Sequence, residues 1–324
     1  MRDSDIKAPT VHHAQEVMRS HRQRIIAWLR RFTVVAIRDT SLVVKGSILI
    51  LIGFVFVGTF ARLLVPYAPS HIDLLSRAQP PMWVHGGGAH HILGTDVLGR
   101  DILSRLIDGT RITLLLTVIS IAVGAILGSS IGLISGIGAG IPGSIWGKLI
   151  DILFMRFTDL VLAVPIILIA LLLAVVFGPS FRVVLVVTSV FLWSAYARVV
   201  RTEAIAICAH SYIDLALIAG VSRTGIGLRH VLPNVLAPII VLATLQVGFV
   251  ILFASALSFL GAGVPPPQAT WGGMVADGRS VLSQDWWIAT LPGILIAVVV
   301  FAANSLGDWL RDTLDPRMAH VPSW

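Results

Sequence analysis

His85, His90 and His91 crowd into seven residues of this 324-residue chain, and three imidazoles at that spacing could in principle hold a divalent metal. Gly86, Gly87 and Gly88 between them fix no supporting shell, and no acid stands nearby before Asp96, so no metal site is expected. Arg156 and Asp159, three residues apart on one face of a helix, form a candidate ion pair or gate within an apolar segment. Both lie near a helix end, where a structural pair at the interface is the alternative. Gly138 to Lys148 is glycine-rich, but Leu149 follows Lys148 and no strand precedes it, so it is not a phosphate loop. The single cysteine, Cys208, excludes a disulfide scaffold and a multi-cysteine metal centre. An intramembrane protease would need serine with histidine, or paired aspartates, inside apolar segments. None of those segments contains histidine, and Asp159 stands alone. An ion channel or proton-coupled carrier would want more charge there than Asp159 supplies. Catalytic residues are therefore not expected.

The stretch from Glu203 to Pro233 is the most informative. It is far longer than the 2–8 residues usual between packed helices. Ser211-Tyr212-Ile213-Asp214-Leu215-Ala216-Leu217-Ile218-Ala219 predicts a short helix with Ser211 as N-cap and Asp214 in a near capping box. Gly220 can end it at positive φ. Tyr212, Ile213, Leu215, Ala216 and Ala219 give it an apolar surface. Such a helix either waits for a groove in a partner or lies flat on a membrane. A turn at Ser222–Gly225, with Arg223, leads to Leu232-Pro233, which opens the next apolar run.

The elements that carry these residues follow from composition. Apolar residues make up 56% and charged residues only 13%, with mean hydropathy +0.88. Soluble domains carry about 25% charge, so an ordinary soluble enzyme and a disordered chain are both excluded. Long stretches without Asp, Glu, Lys or Arg predict six membrane-crossing helices, each needing about 20 apolar residues. The apolar runs are continuous rather than alternating, which favours helices over barrel strands. The expected fold class is all-α, a polytopic membrane protein. Residues 1–40 form a basic tail with an interfacial amphipathic helix, and 41–65 the first span. Residues 66–111 form an external loop. Five further helices fall at about 112–137, 149–178, 182–203, 234–262 and 287–308, as antiparallel neighbours except where long loops permit otherwise. The loop 204–233 joins two of them, and 312–324 is a second tail. Pro142 is expected to end the helix before it, and Pro165 and Pro292 to kink theirs. Gly124, Gly128, Gly132 and Gly136 form a small-residue stripe suited to close helix packing. Seventeen of the 24 Lys and Arg residues fall on the side of the N-terminal tail and seven on the other, which places both termini in the cytoplasm. The formal net charge of +7 then marks topology and contact with anionic lipid, not nucleic acid.

Several motifs in order resemble one family. The 204–233 loop resembles the Glu-Ala-Ala loop of importer-type ABC permeases: Asp214-Leu215-Ala216 stands for Glu-Ala-Ala, Gly220 for its glycine, and Val231-Leu232-Pro233 for its end. Asp replaces Glu here, and Leu replaces the first Ala. His91-Ile92-Leu93-Gly94-Thr95-Asp96, Gly99-Arg100-Asp101 and Ser104-Arg105 are similar to the signature of the C-type subunit of dipeptide, oligopeptide and nickel importers, with Ile92 in place of proline. Trp193, Ala197, Arg198 and Arg201 match too, as do Ser258–Gly261, Pro265–Pro267, Trp271-Gly272 and Asn304 to Arg317.

The resemblance implies an importer-type (MetI-like) ABC permease bundle in a bacterial or archaeal inner membrane. It implies a second permease subunit, two ATPase subunits and an external substrate-binding protein as partners. Peptides are the expected cargo, with nickel chelates, glutathione or other small solutes as alternatives. No cofactor is expected on this chain, ATP and Mg belonging to the partners. The residues expected to couple to an ATPase are Ser211, Tyr212, Ile213, Asp214, Leu215, Ala216, Ala219, Gly220, Arg223, Leu232 and Pro233. His91, Asp96, Arg100, Asp101, Arg105 and Trp271 are expected to cap the cavity or dock the binding protein.

Overall fold

The computed structural model describes residues 41–314 other than Ser144. The expectations for the 1–40 tail and for 315–324 lie outside the described residues. The chain divides into two units, 1–46 and 47–324. Of the first, the described residues begin helix α1, Leu42–Leu64. The second contains the remaining elements, and the described residues are helical apart from turns and loops.

Helix α2, Ile102–Gly140, has 39 residues and is about 58 Å long at 1.5 Å per residue. Its N-terminus is capped by Asp101, whose carboxylate accepts from the Ser104 amide at 2.7 Å. It ends two residues before Pro142, as its sequence requires. Next come α3, Ile145–Ala163, and α4, Ile166–Phe177. These two lie where a single span over 149–178 was expected. They are bent by 79°, so five helices are long and apolar enough to cross a membrane, or six if the bent pair counts as one. Pro165 is the cause: it lacks an amide hydrogen and drives Val164 out of helical geometry. Pro292, by contrast, sits inside a helix that continues through it.

Helix α5, Phe181–Cys208, is followed by α6, Ser211–Ile218, and by α7, Arg223–Ile226. A π-helical turn, Gly227–Val231, leads into α8, Leu232–Phe259. Pro233 lies in the first turn of α8, where a missing amide hydrogen costs nothing. The short α9, Trp271–Gly278, and the long α10, Trp287–Leu314, complete the fold.

The most extensive packing joins α2 to α5. A β-carbon on Gly124 would fall 2.5 Å from Leu192 Cβ, one on Gly128 2.3 Å from the Trp193 carbonyl oxygen, and one on Gly132 2.5 Å from that of Ala197. On Gly136 it would meet Ala204 Cβ at 2.5 Å, and on Gly140 Cys208 Cβ at 2.7 Å. Counted by the Cβ atoms these glycines face, Leu192, Tyr196, Val200, Ala204 and Cys208, both helices advance four residues per contact in the same direction. They therefore run parallel, and this pair is neither antiparallel nor adjacent in sequence. Small residues let the backbones approach where lipid supplies no hydrophobic drive.

Candidate functional site: coupling surface and outer cap

Helix α6 is anchored on one side and bare on the other. Ile213 is fully buried with Ile141, Val200, Ala204, Ile207, Ile226 and Val231, while Ala216 and Leu217 are half-buried. Tyr212 is 43% exposed, Leu215 66% and Ile218 84%. Asp214 and Ala219 are exposed as well. Gly220, at φ +83°, ends the helix. Its amide donates to the Leu217 carbonyl at 3.0 Å, and the Val221 amide to that of Ala216 at 3.0 Å, the Schellman arrangement. The N-cap position falls on His210, not Ser211, and no side chain caps it. Ser211 is the first helical residue, and the His210 imidazole is tied back to the last turn of α5, its Nδ1 lying 3.0 Å from the Ala206 oxygen. The rings of His210 and His230 flank Tyr212 at 5.7 and 6.3 Å. Burial pushes the Tyr212 hydroxyl above its ordinary pKa. Arg223 donates to the Pro142 carbonyl at 3.1 Å, fastening the loop to the α2–α3 turn. Leu232 is half-buried against the same cluster, and Pro233 is exposed.

The same end of the bundle holds two ion pairs between α3 and α5. Arg201 grips Asp151 with both Nε and NH2, at 2.5 and 2.8 Å, and Arg198 meets Asp159 at 3.0 Å. Asp159 is therefore not paired with Arg156, as its sequence spacing suggested. Arg198 reaches it from the neighbouring helix, and Arg156 lies on the exposed side of α3. The Asp159–Arg198 pair is more than half exposed.

At the opposite end of α2, the six residues expected in the outer loop and beyond it converge. Asp96 is completely buried and accepts from Arg100 Nε at 2.6 Å, from Arg105 NH1, and from the amides of Leu98 and Arg100 at 2.8 and 3.0 Å. Both guanidinium groups also reach Asp277 on α9, at 3.2 Å each. Asp101 accepts from Ser104 and sits 2.9 Å from His91 Nδ1. Trp271 donates its indole N–H to the Leu106 carbonyl at 3.1 Å, and Trp287 donates to that of Thr95 at 3.2 Å. Asp73 caps a short turn in the same loop, and hydrogen bonds from Ser76 and the Leu75 amide hold its carboxyl below the usual carboxylate range. Asp96, Arg100, Asp101 and Arg105 are buried charges, each with an oppositely charged or hydrogen-bonding partner, which is how such groups are tolerated. His91, Asp96, Arg100, Asp101, Arg105 and Trp271 thus sew the outer loop to α2 and α9. They do not project from the surface. His85 and His90 do not join them, and no group of three metal-ligating side chains occurs among the described residues.

The family described as "binding-protein-dependent transport system inner membrane component" matches residues 128–320. The chain is 38% identical over 276 residues to a di/tripeptide transport system permease protein of Pseudomonas aeruginosa, covering 85% of this chain and 88% of that one. This chain belongs to that family. The permease is also 37% identical over 278 residues to a dipeptide transport system permease protein of Escherichia coli, covering 85% and 90% of the two chains. A probable D,D-dipeptide transport system permease protein of the same species is 32% identical over 281 residues, covering 87% and 89%. The permease is thus a multi-pass protein of the inner membrane.

Reading the permease from its sequence missed Asp151 as the partner of Arg201, while Asp277 was expected to assist at the cap without a named partner. Asp151 precedes Arg201 by 50 residues, and Asp277 follows Arg100 by 177. One signal was available: an acid inside an apolar helix needs a cation, and Arg201 already stood in a matching motif.

Proposed function

We propose that this permease forms half of the translocation pathway of an ATP-driven importer of di- and oligopeptides, and that α6 is its coupling element. The peptide cargo rests on the names of the relatives. The bundle is paired with a second permease subunit, with two ATPase subunits beneath it carrying ATP and Mg, and a substrate-binding protein docks outside. Both termini face the cytoplasm, so α6 lies on the ATPase side. The observation that carries this reading is the two-sidedness of α6. Ile213 locks it into the bundle, while Tyr212, Leu215 and Ile218 stand bare on a helix only eight residues long. Closure of the ATPase pair pushes on that bare side, and Ile213 passes the displacement to α2, α5 and α8.

Moving a two-state equilibrium from 1:99 to 99:1 takes about 5.5 kcal/mol of differential binding. Burying the exposed parts of Tyr212, Leu215 and Ile218, at about 1.5–3 kcal/mol for a fully exposed side chain, contributes about 3–6 kcal/mol, the same order. The exposed Asp214 remains free to meet a donor on the ATPase.

On the outside, the binding protein meets exposed residues of the cap, such as Leu75 and Trp83, and the exposed edge of Asp277. The buried network beneath holds that platform rigid. The test is Leu215→Arg in the reconstituted complex. Membrane insertion and assembly of the bundle should be unchanged, and peptide-stimulated ATP hydrolysis should fall at least about tenfold, the loss of about 1.4 kcal/mol or more of contact. Normal stimulated hydrolysis in that variant would refute the assignment.

A further inference from the structure

The two ion pairs that join α3 to α5 are built differently. Arg201 holds the buried Asp151 through two nitrogens. Arg198 meets Asp159 through a single contact, NH2 to Oδ1 at 3.0 Å, and both side chains are more than half exposed. The other Asp159 oxygen has no hydrogen-bond donor among the described residues. This exposed pair does not sit at a helix end. Asp159 lies about 21 Å along α3 from Ile145, and Arg198 about 15 Å from the end of α5 at Cys208. On α3, Leu153 and Phe157 before Asp159 and Leu160 and Val164 after it are apolar and exposed. Thr202, one turn on from Arg198, is exposed as well.

The charges decide what covers this face. Hydrocarbon is excluded, because ionised groups within a span face a bundle interior or water. A second subunit packed over the pair would strip water from both charges, and a single contact does not offset that cost. The pair that is out of water, Asp151 with Arg201, has two. Water is the cover that leaves Asp159 and Arg198 solvated. We propose that this pair faces the water-filled pathway and exchanges partners with the passing peptide, Asp159 taking its ammonium group and Arg198 its carboxylate. The cargo class rests on the importer reading above. The exchange keeps every charge matched: one acid and one base part, and a zwitterion supplies one of each. The charged ends of a dipeptide are at most about 7 Å apart, a gap that a rotamer change of the long Arg198 side chain opens.

The complex is reconstituted in nanodiscs, which leave both faces open, and treated with a cationic methanethiosulfonate. Such reagents attack thiolates, which form in water and not in apolar surroundings. Cys208, the chain's one cysteine, is buried and sets the background. Asp159→Cys should label at least about tenfold faster than that background. Thr202→Cys, which leaves the pair intact, should also label, and dialanine at about ten times its half-protecting concentration should slow this about tenfold. Acetyl-dialanine amide, which lacks both charged ends, should not slow it. Adding Asp159→Asn should remove the dialanine effect, and Asp159→Glu should keep it. Background labelling of Asp159→Cys would place lipid or another subunit over the pair and overturn the proposal. So would equal slowing by the capped peptide, or slowing that survives Asp159→Asn. Dialanine-stimulated ATP hydrolysis by the wild-type complex tests the importer reading separately, and its absence beside a protected Thr202→Cys would overturn that reading alone.

Discussion

Asp151 and Asp159 lie two turns apart on α3, and their surroundings separate their roles. Asp151 is buried and gripped by two nitrogens of Arg201, whose side chain is 30% exposed, whereas Asp159 and Arg198 both stand in the open. Removing one partner of a fully buried pair costs about 3–5 kcal/mol, and an exposed pair contributes about 0–1. Arg201→Met should thus destabilise the bundle by about 2 kcal/mol, between those limits. Asp159→Asn should change stability by less than about 1 kcal/mol. Thermal unfolding of the two variants in one detergent checks the difference, and equal losses would contradict it. The spacing of Arg156 and Asp159 suggested a pair because it measures distance along one helix, whereas Arg198 reaches Asp159 from α5.

At the scale of elements, the parallel α2–α5 contact is the spine of the fold. Five glycines on α2 leave no room for a β-carbon, because backbone or Cβ atoms of α5 occupy the space. Gly53 and Gly293 have nothing within 4 Å of that position. Gly132→Leu should therefore abolish monodisperse protein on size exclusion. Gly53→Ala should be neutral or stabilising, by about 0.5–1 kcal/mol from helix propensity. The stripe from Gly124 to Gly136 was visible in the sequence, but its partner helix was not. Four-residue periodicity announces a flat face and carries no information on what lies against it. The kink at Pro165 was likewise legible, and its 79° bend was not, since a proline breaks a helix without choosing the direction of the chain beyond it.

For the molecule as a whole, the two ends of α2 are built differently. The end at Ile102 is welded: two arginines are shared by Asp96 and Asp277, the Trp287 indole donates to Thr95 in the loop, and the Trp271 indole donates to Leu106 in the first turns of α2. The end bearing α6 is anchored through apolar packing and leaves Leu215 and Ile218 bare. Asp96→Asn keeps the shape and removes the acceptor charge beneath both guanidinium groups, so the cap should lose about 3–5 kcal/mol. Hydrogen exchange at the Leu98 and Arg100 amides, which Asp96 accepts, should accelerate sharply. Asp277→Asn, 37% exposed, should lose only about 1 kcal/mol and leave those amides protected. Equal exchange in the two variants would show that the weld does not rest on Asp96.

What this chain's residues determined by themselves was local. Hydropathy fixed the number and rough limits of the apolar segments, Pro142 and Gly220 marked helix ends, and the Glu203–Pro233 interval announced a surface helix. Those features depend on neighbours a few residues away, where helix geometry sets every distance. The tertiary structure alone decided that α2 and α5 run parallel, that Arg198 and not Arg156 meets Asp159, and that Ile213 anchors α6 while Leu215 and Ile218 are left bare. It also turned Asp96 and Asp101 inward. Each of these depends on which helices become neighbours in space. That is settled by summed packing across the bundle, because an apolar face fits lipid, a partner or another helix equally well until shape selects one.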